Sequence, residues 1–133
     1  MDLILEEFPV TFDAEPVFIG NGYILNDMAF FGNAVDGSTS SLDLTIFTPI
    51  VYRVSKYEGE ILLEKSLPDG QTETNGFKIL GDDNNQLEIE VGPSEIAEAR
   101  TLLHRHELFF VRADGSRQTF WIGDIPFENL FSS

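Results

Sequence analysis

A period of two, cut at short intervals by turn residues, limits this chain more than any other feature of its sequence. Gln86-Leu87-Glu88-Ile89-Glu90-Val91 alternates strictly, placing Leu87, Ile89 and Val91 on one face of a strand and Glu88 and Glu90 on the other. Residues 44–54 are rich in Thr, Ile, Phe, Val and Tyr, which suit a pleated, packed surface. Tyr57-Glu58-Gly59-Glu60 reads as a turn into a second strand at residues 61–64, so the two form a hairpin. Pro49 removes a ladder donor, and the first of these strands is therefore expected at an edge or with a bulge. A further hairpin pairs residues 107–111 with 118–122 across Asp114-Gly115, a dipeptide that favours the positive φ angles of tight turns. Residues 77–80 reach the 86–91 strand through the turn-rich tip Gly81-Asp82-Asp83-Asn84-Asn85.

One helix is expected, over residues 93–100, with Ser94 capping its first turn and Glu95 lying favourably against its dipole. At about two turns it is a crossover between strands. Roughly seven to nine short strands, with turns about every ten residues, predict an all-β, antiparallel sandwich. At the start, Pro9 and Pro16 interrupt the apolar residues, and Gly20-Asn21-Gly22 makes a turn. The expected organisation is an irregular N-terminal arm over residues 1–25, a sandwich over 26–123 and an apolar tail over 124–133.

The chain has 133 residues, of which 42% are hydrophobic, including 12 Phe, enough for one domain with a real core. It has no cysteine, which excludes disulfides, thiol nucleophiles and cysteine-bound zinc. No apolar run is long enough for a membrane-spanning helix. The N-terminal residues lack the basic and apolar regions of a secretory signal, so the chain is expected to stay where it is made. The formal net charge is −15, with 8 Lys and Arg against 23 Asp and Glu, and the first base is Arg53. A reader of nucleic acid needs a basic face, so direct binding to DNA, RNA or an anionic membrane is not expected. The acidity serves either solubility or the meeting of a basic partner, including one that normally holds DNA.

No catalytic constellation stands out. His104 and His106 lie two apart on a strand and share a face; the reading is of strand-surface histidines, since two ligands make no closed metal site. Asp82-Asp83-Asn84-Asn85 has the composition of a calcium loop without its spacing, central Gly or closing Glu. Ser38-Thr39-Ser40-Ser41 shows no nucleophile elbow, and there is no phosphate-binding Gly loop. No catalytic residue, cofactor or metal site is therefore assigned, and the chain is expected not to be an enzyme. Phe30-Phe31, Phe109-Phe110 and Phe120-Trp121 are adjacent pairs. On a regular strand one member of each leaves the core, to meet a second layer or a partner. The termini are apolar as well, and flexible tails are normally polar. Phe8, Phe12, Phe18, Phe109, Trp121, Phe127, Leu130 and Phe131 are accordingly the candidates for contact with other proteins, the arms either folding back or reaching a neighbour.

Several segments follow one another in a familiar order. Asn26-Asp27-Met28-Ala29-Phe30-Phe31 leads through Asp36-Gly37 to Leu42-Asp43-Leu44-Thr45, then to Tyr57-Glu58-Gly59-Glu60-Ile61-Leu62-Leu63. Gly76-Phe77-Lys78-Ile79 and the alternating strand follow, then Glu107-Leu108-Phe109-Phe110-Val111, Asp114-Gly115 and Thr119-Phe120-Trp121-Ile122-Gly123. This order resembles the small immunoglobulin-like domains of tailed-bacteriophage virion proteins, found at the N-terminus of upper-baseplate and tail-fibre proteins and in head-fibre or tail accessory proteins. It covers residues 26–123 and departs at Leu102-Leu103-His104-Arg105-His106, where relatives often have a simple turn and a Gly-Tyr pair. The resemblance implies a non-enzymatic structural adaptor in the virion, docked on other capsid, tail or baseplate proteins in symmetric copies or as a homo-oligomer. The alternative is an acidic inhibitor that mimics DNA on a basic host enzyme.

Overall fold

The computed structural model describes residues 1–33, 36–56, 59–99 and 102–128. Twelve strands lie among them: β1 (Asp2–Ile4), β2 (Val10–Thr11), β3 (Val17–Phe18), β4 (Tyr23–Asn33), β5 (Thr39–Ser41), β6 (Ile50–Lys56), β7 (Ile61–Leu67), β8 (Glu73–Thr74), β9 (Phe77–Leu80), β10 (Gln86–Val91), β11 (Leu103–Val111) and β12 (Arg117–Glu128). They form two six-stranded sheets. Sheet I runs β1-β4-β10-β9-β8, with β5 also on β4; sheet II runs β2-β12-β11-β6-β7, with β3 also on β12. The all-β expectation holds.

Both hairpins are present, β6–β7 and β11–β12, and β9 pairs with β10 in the expected antiparallel register. The turn tips follow local chemistry. Asp36, Asp43 and Asp114 each accept a hydroxyl and an amide hydrogen bond from the residue two positions on. Those bonds, the hydroxyl's first, hold all three carboxyls below their ordinary range. Tyr57 and Glu58, read as a turn, lie outside the described residues.

Four local expectations are corrected. Residues 44–47 form a 3-10 turn rather than strand, because Asp43 accepts from the Thr45 amide at 2.9 Å and Leu44 turns inward to full burial. Pro49 falls just outside β6, which is internal: β7 and β11 flank it, though the β6–β7 register does shift at Val54/Ser55. The expected two-turn helix shortens to a 3-10 turn at Pro93–Ile96. Ser94 does not cap it; the Glu95 carboxylate accepts from the Gly92 amide at 2.6 Å, and buried Ile96 anchors it. Finally, the sandwich is not wholly antiparallel. β1 runs parallel to β4, and β2 and β3 run parallel to β12. All three come from the N-terminal segment and pair over only two or three residues: β1 ends in a 3-10 turn at Leu5–Glu7, β2 begins after Pro9 and β3 after Pro16.

The core lies between the sheets. Met28, Phe30, Leu87 and Ile89 of sheet I meet Tyr52, Leu108, Phe120 and Trp121 of sheet II, all essentially without solvent contact. Phe30, Phe110 and Phe120 pack ring to ring at centroid distances of 5.3 to 5.5 Å. Lys65 of β7 ties the sheets together, donating to the Glu90 carbonyl of β10 and to Glu95 at 3.1 Å. Its side chain is only 8% exposed, so an ammonium without these partners would be costly there.

Candidate functional site

The N-terminal segment does not dangle. After β1 borders sheet I, the chain crosses through residues 5–9 and runs along β12 at the border of sheet II. The Phe12, Ala14 and Ile19 amides donate to the carbonyls of Ile122, Asp124 and Glu128 at 2.8 to 3.1 Å, and the Asp124 amide returns a bond to Asp13. Phe8 packs edge-on against Phe120 at 5.3 Å, and Phe12 against Trp121 at 4.9 Å. One segment therefore lines one border of each sheet.

At its centre is a buried relay. The Phe12 carbonyl can only accept, so His106 Nε2, 2.9 Å away, carries the proton. His106 Nδ1 must then accept from the Tyr52 hydroxyl at 3.0 Å, and that hydroxyl accepts in turn from Tyr23 at 2.8 Å. The three side chains join β11, β6 and β4 and end on the arm. Burial pushes the His106 imidazole down to about 4, outweighing the Phe12 bond and the Asp13 and Asp124 charges, which act the other way. Burial likewise raises both tyrosines, so the relay is neutral at pH 7. Gly123, the β12 partner of His106, makes the approach possible: a Cβ there would lie 1.9 Å from the Phe12 oxygen.

His104 takes the opposite tautomer. Nδ1 donates to the Leu102 carbonyl at 3.0 Å, while Nε2 is buried with no hydrogen-bond partner among the described residues. Burial is the main cause holding its imidazole below the usual range. Both histidines share a face, as expected, but it is the inner face and neither is exposed. They belong to the core with Leu108 and Phe110, whose parity they share on β11; that parity was the signal for their position.

The contact candidates are placed as follows. Trp121 and Phe127 are buried in the core, and Phe8 and Phe12 are half-buried against it. Phe18 keeps an exposed ring. Leu130 and Phe131 lie outside the described residues. Phe120 and Trp121 both face inward because β12 carries an extra residue between Leu108 and Phe109 of β11. This bulge breaks the alternation that would have turned one of them out. Phe109 does leave the core, yet it stays covered: Arg117 and Arg53 lie over its ring at 4.1 and 5.2 Å.

The two outer faces differ electrically. On sheet II, Arg53 bonds Glu64 at 2.6 Å and Glu107 at 3.4 Å, and Arg117 approaches Glu107 at 3.8 Å. The strands of sheet I carry Asp2, Asp27, Glu73, Glu88 and Glu90 against a single base, Lys78, which lies 3.8 Å from Glu73. Among the described residues no ion pair reaches Asp2, Asp27, Glu88 or Glu90. Ile24, Leu80 and Met1 are exposed apolar side chains of the same region. Sequence reasoning missed Ile24 and Leu80; each adjoins a buried residue, Leu25 or Ile79, and the opposite parity predicts an outward position.

The Asp82–Asn85 tip is used structurally. Asp83 accepts from Ser41 at 3.0 Å, the Asn84 carbonyl accepts from the Leu44 amide, and the Asn85 side chain donates to the Phe30 carbonyl. Comparison with protein-family models and with curated proteins gives no match.

Proposed function

We propose that this chain is a non-catalytic docking protein, and that it serves as an immunoglobulin-like structural subunit of a tailed-phage particle, attached to capsid, tail or baseplate proteins. The observation that carries the docking reading is the division of labour between interior and surface. Tyr23, Tyr52 and His106 fasten the sheets to each other and to the arm, while sheet I presents exposed carboxylates and apolar side chains, among them Asp27, Glu90, Ile24 and Leu80.

Strand order supports the immunoglobulin-like part. In such a sandwich strands B, E and D adjoin in one sheet and C, F and G in the other; here β4-β10-β9 and β6-β11-β12 adjoin in the matching chain order. The parallel β1–β4 pair departs from that pattern, as does a buried Trp on β12 rather than on β6. Mass spectrometry of purified particles tests the particle reading, which expects the chain at a fixed copy number relative to the major structural proteins. Its absence from particles would overturn the assignment.

The carboxylates of sheet I favour a second reading, an acidic inhibitor that occupies a DNA-binding groove. That reading expects the chain to co-purify with a nucleic-acid-binding enzyme and to be displaced by duplex DNA.

A further inference from the structure

We infer that the outer face of sheet I is the docking face, and that its occupant is a basic, amphipathic protein segment carrying lysines or arginines beside apolar residues. The inference rests on the docking reading and names the surface and the chemistry of the partner.

A groove of about 360 Å³ crosses this face, lined among others by Met1, Asp2, Asp27, Ala29, Leu80 and Glu88. A bulge shapes it. Leu87 of β10 is level with Met28 and Ile89 with Leu25, so Asn26 and Asp27 of β4 oppose Glu88 alone. Asp27 sits at φ 61°, and both bulged side chains are exposed. The bulge thereby adds a carboxylate to a face that already bears Glu88 and Glu90. Among the described residues, Lys78 and the Met1 amino group, which donates to the Asp27 carbonyl, lie at its margins.

Charge and apolar exposure together select the occupant. Ile24 is 52% exposed, Met1 45% and Leu80 40%, on a face where Asp2, Asp27, Glu88 and Glu90 lack ion pairs among the described residues and Lys78 lies beside Glu73. Nucleic acid and anionic lipid are repelled by such a surface. A second copy of the chain is disfavoured too, because each copy has a net charge of −15. A basic segment with apolar side chains satisfies both features, the charges steering it and the apolar groups giving it purchase. Sheet II is the poorer candidate, since its arginines already neutralise Glu64 and Glu107 and cover Phe109.

Two synthetic peptides of equal length and charge test this, one alternating Lys with Leu and one alternating Lys with Ser. NMR titration of the full chain should move the amides of Ile24, Asp27, Leu80 and Glu88 first. The Lys-Leu peptide should bind more tightly, by about tenfold or more, and the double variant Ile24→Ser/Leu80→Ser should remove that advantage. Both positions are exposed, and unchanged signals from the buried core would verify that the variant folds. Shifts spread over every acidic loop, or equal affinity for the two peptides, would reduce the effect to bulk attraction and overturn the inference. The experiment needs no particle. Failure here with the chain present in virions condemns the chosen face, whereas success here with the chain absent from virions condemns the particle reading.

Discussion

Gly123 and His106 show how few atoms decide the position of the arm. Gly123→Ala puts a methyl group where the Phe12 carbonyl stands, and the contact is with backbone, which cannot swing aside. The expected cost is about 1–3 kcal/mol of stability, in the range of other overpacked sites, read by urea unfolding. His106 adds a pH dependence whose sign is fixed by its depressed value. Above pH 6.5 it is neutral in both folded and unfolded chains. Below that the unfolded chain takes up a proton that the folded chain refuses until about pH 4, so stability falls through this window and this group's contribution then levels off. The total is about 3 kcal/mol. Unfolding free energies of the native chain and of His106→Gln, measured from pH 7 to pH 4, should have different slopes, the native chain's being steeper. Parallel slopes would show that the imidazole titrates normally.

At the scale of elements, the arm behaves as part of the fold. β1, β2 and β3 border the two sheets, and Phe8 and Phe12 cover Phe120 and Trp121. Deleting residues 1–12 should therefore give a chain that aggregates or loses its cooperative thermal transition. A truncated chain that melts cooperatively as a monomer would make the arm dispensable. The hairpins and the alternating β10 were legible in the sequence because their side-chain period and their turn residues give the same local answer. The rest was set by non-local geometry. Nothing in Phe120-Trp121 announces a bulge, and Pro9 and Pro16 mark interruptions without saying that the pieces on either side of them would run parallel to β4 and β12. The docking face was hidden for the same reason. Ile24 and Asp27 lie more than fifty residues from Leu80 and Glu88 in sequence, and the two pairs come onto one face only when β4, β9 and β10 pair.

For the whole molecule, the segregation of charge follows from topology. The first 52 residues hold no Lys or Arg, and they supply β1, β4 and β5, half the strands of sheet I. Most of the bases enter sheet II through β6, β7, β11 and β12. The protein is thus a packed pair of sheets with one acidic, partly apolar face, and on our proposal that face seats it on a basic neighbour. The most direct test is reconstitution: particles made without the chain are mixed with purified native chain, with Asp27→Asn/Glu88→Gln/Glu90→Gln, or with Glu64→Gln on sheet II, and the bound fraction is measured after sedimentation. The account predicts that native chain and the sheet II variant bind while the triple variant is left in the supernatant. Equal binding of all three, or loss of binding with the sheet II variant alone, would contradict it.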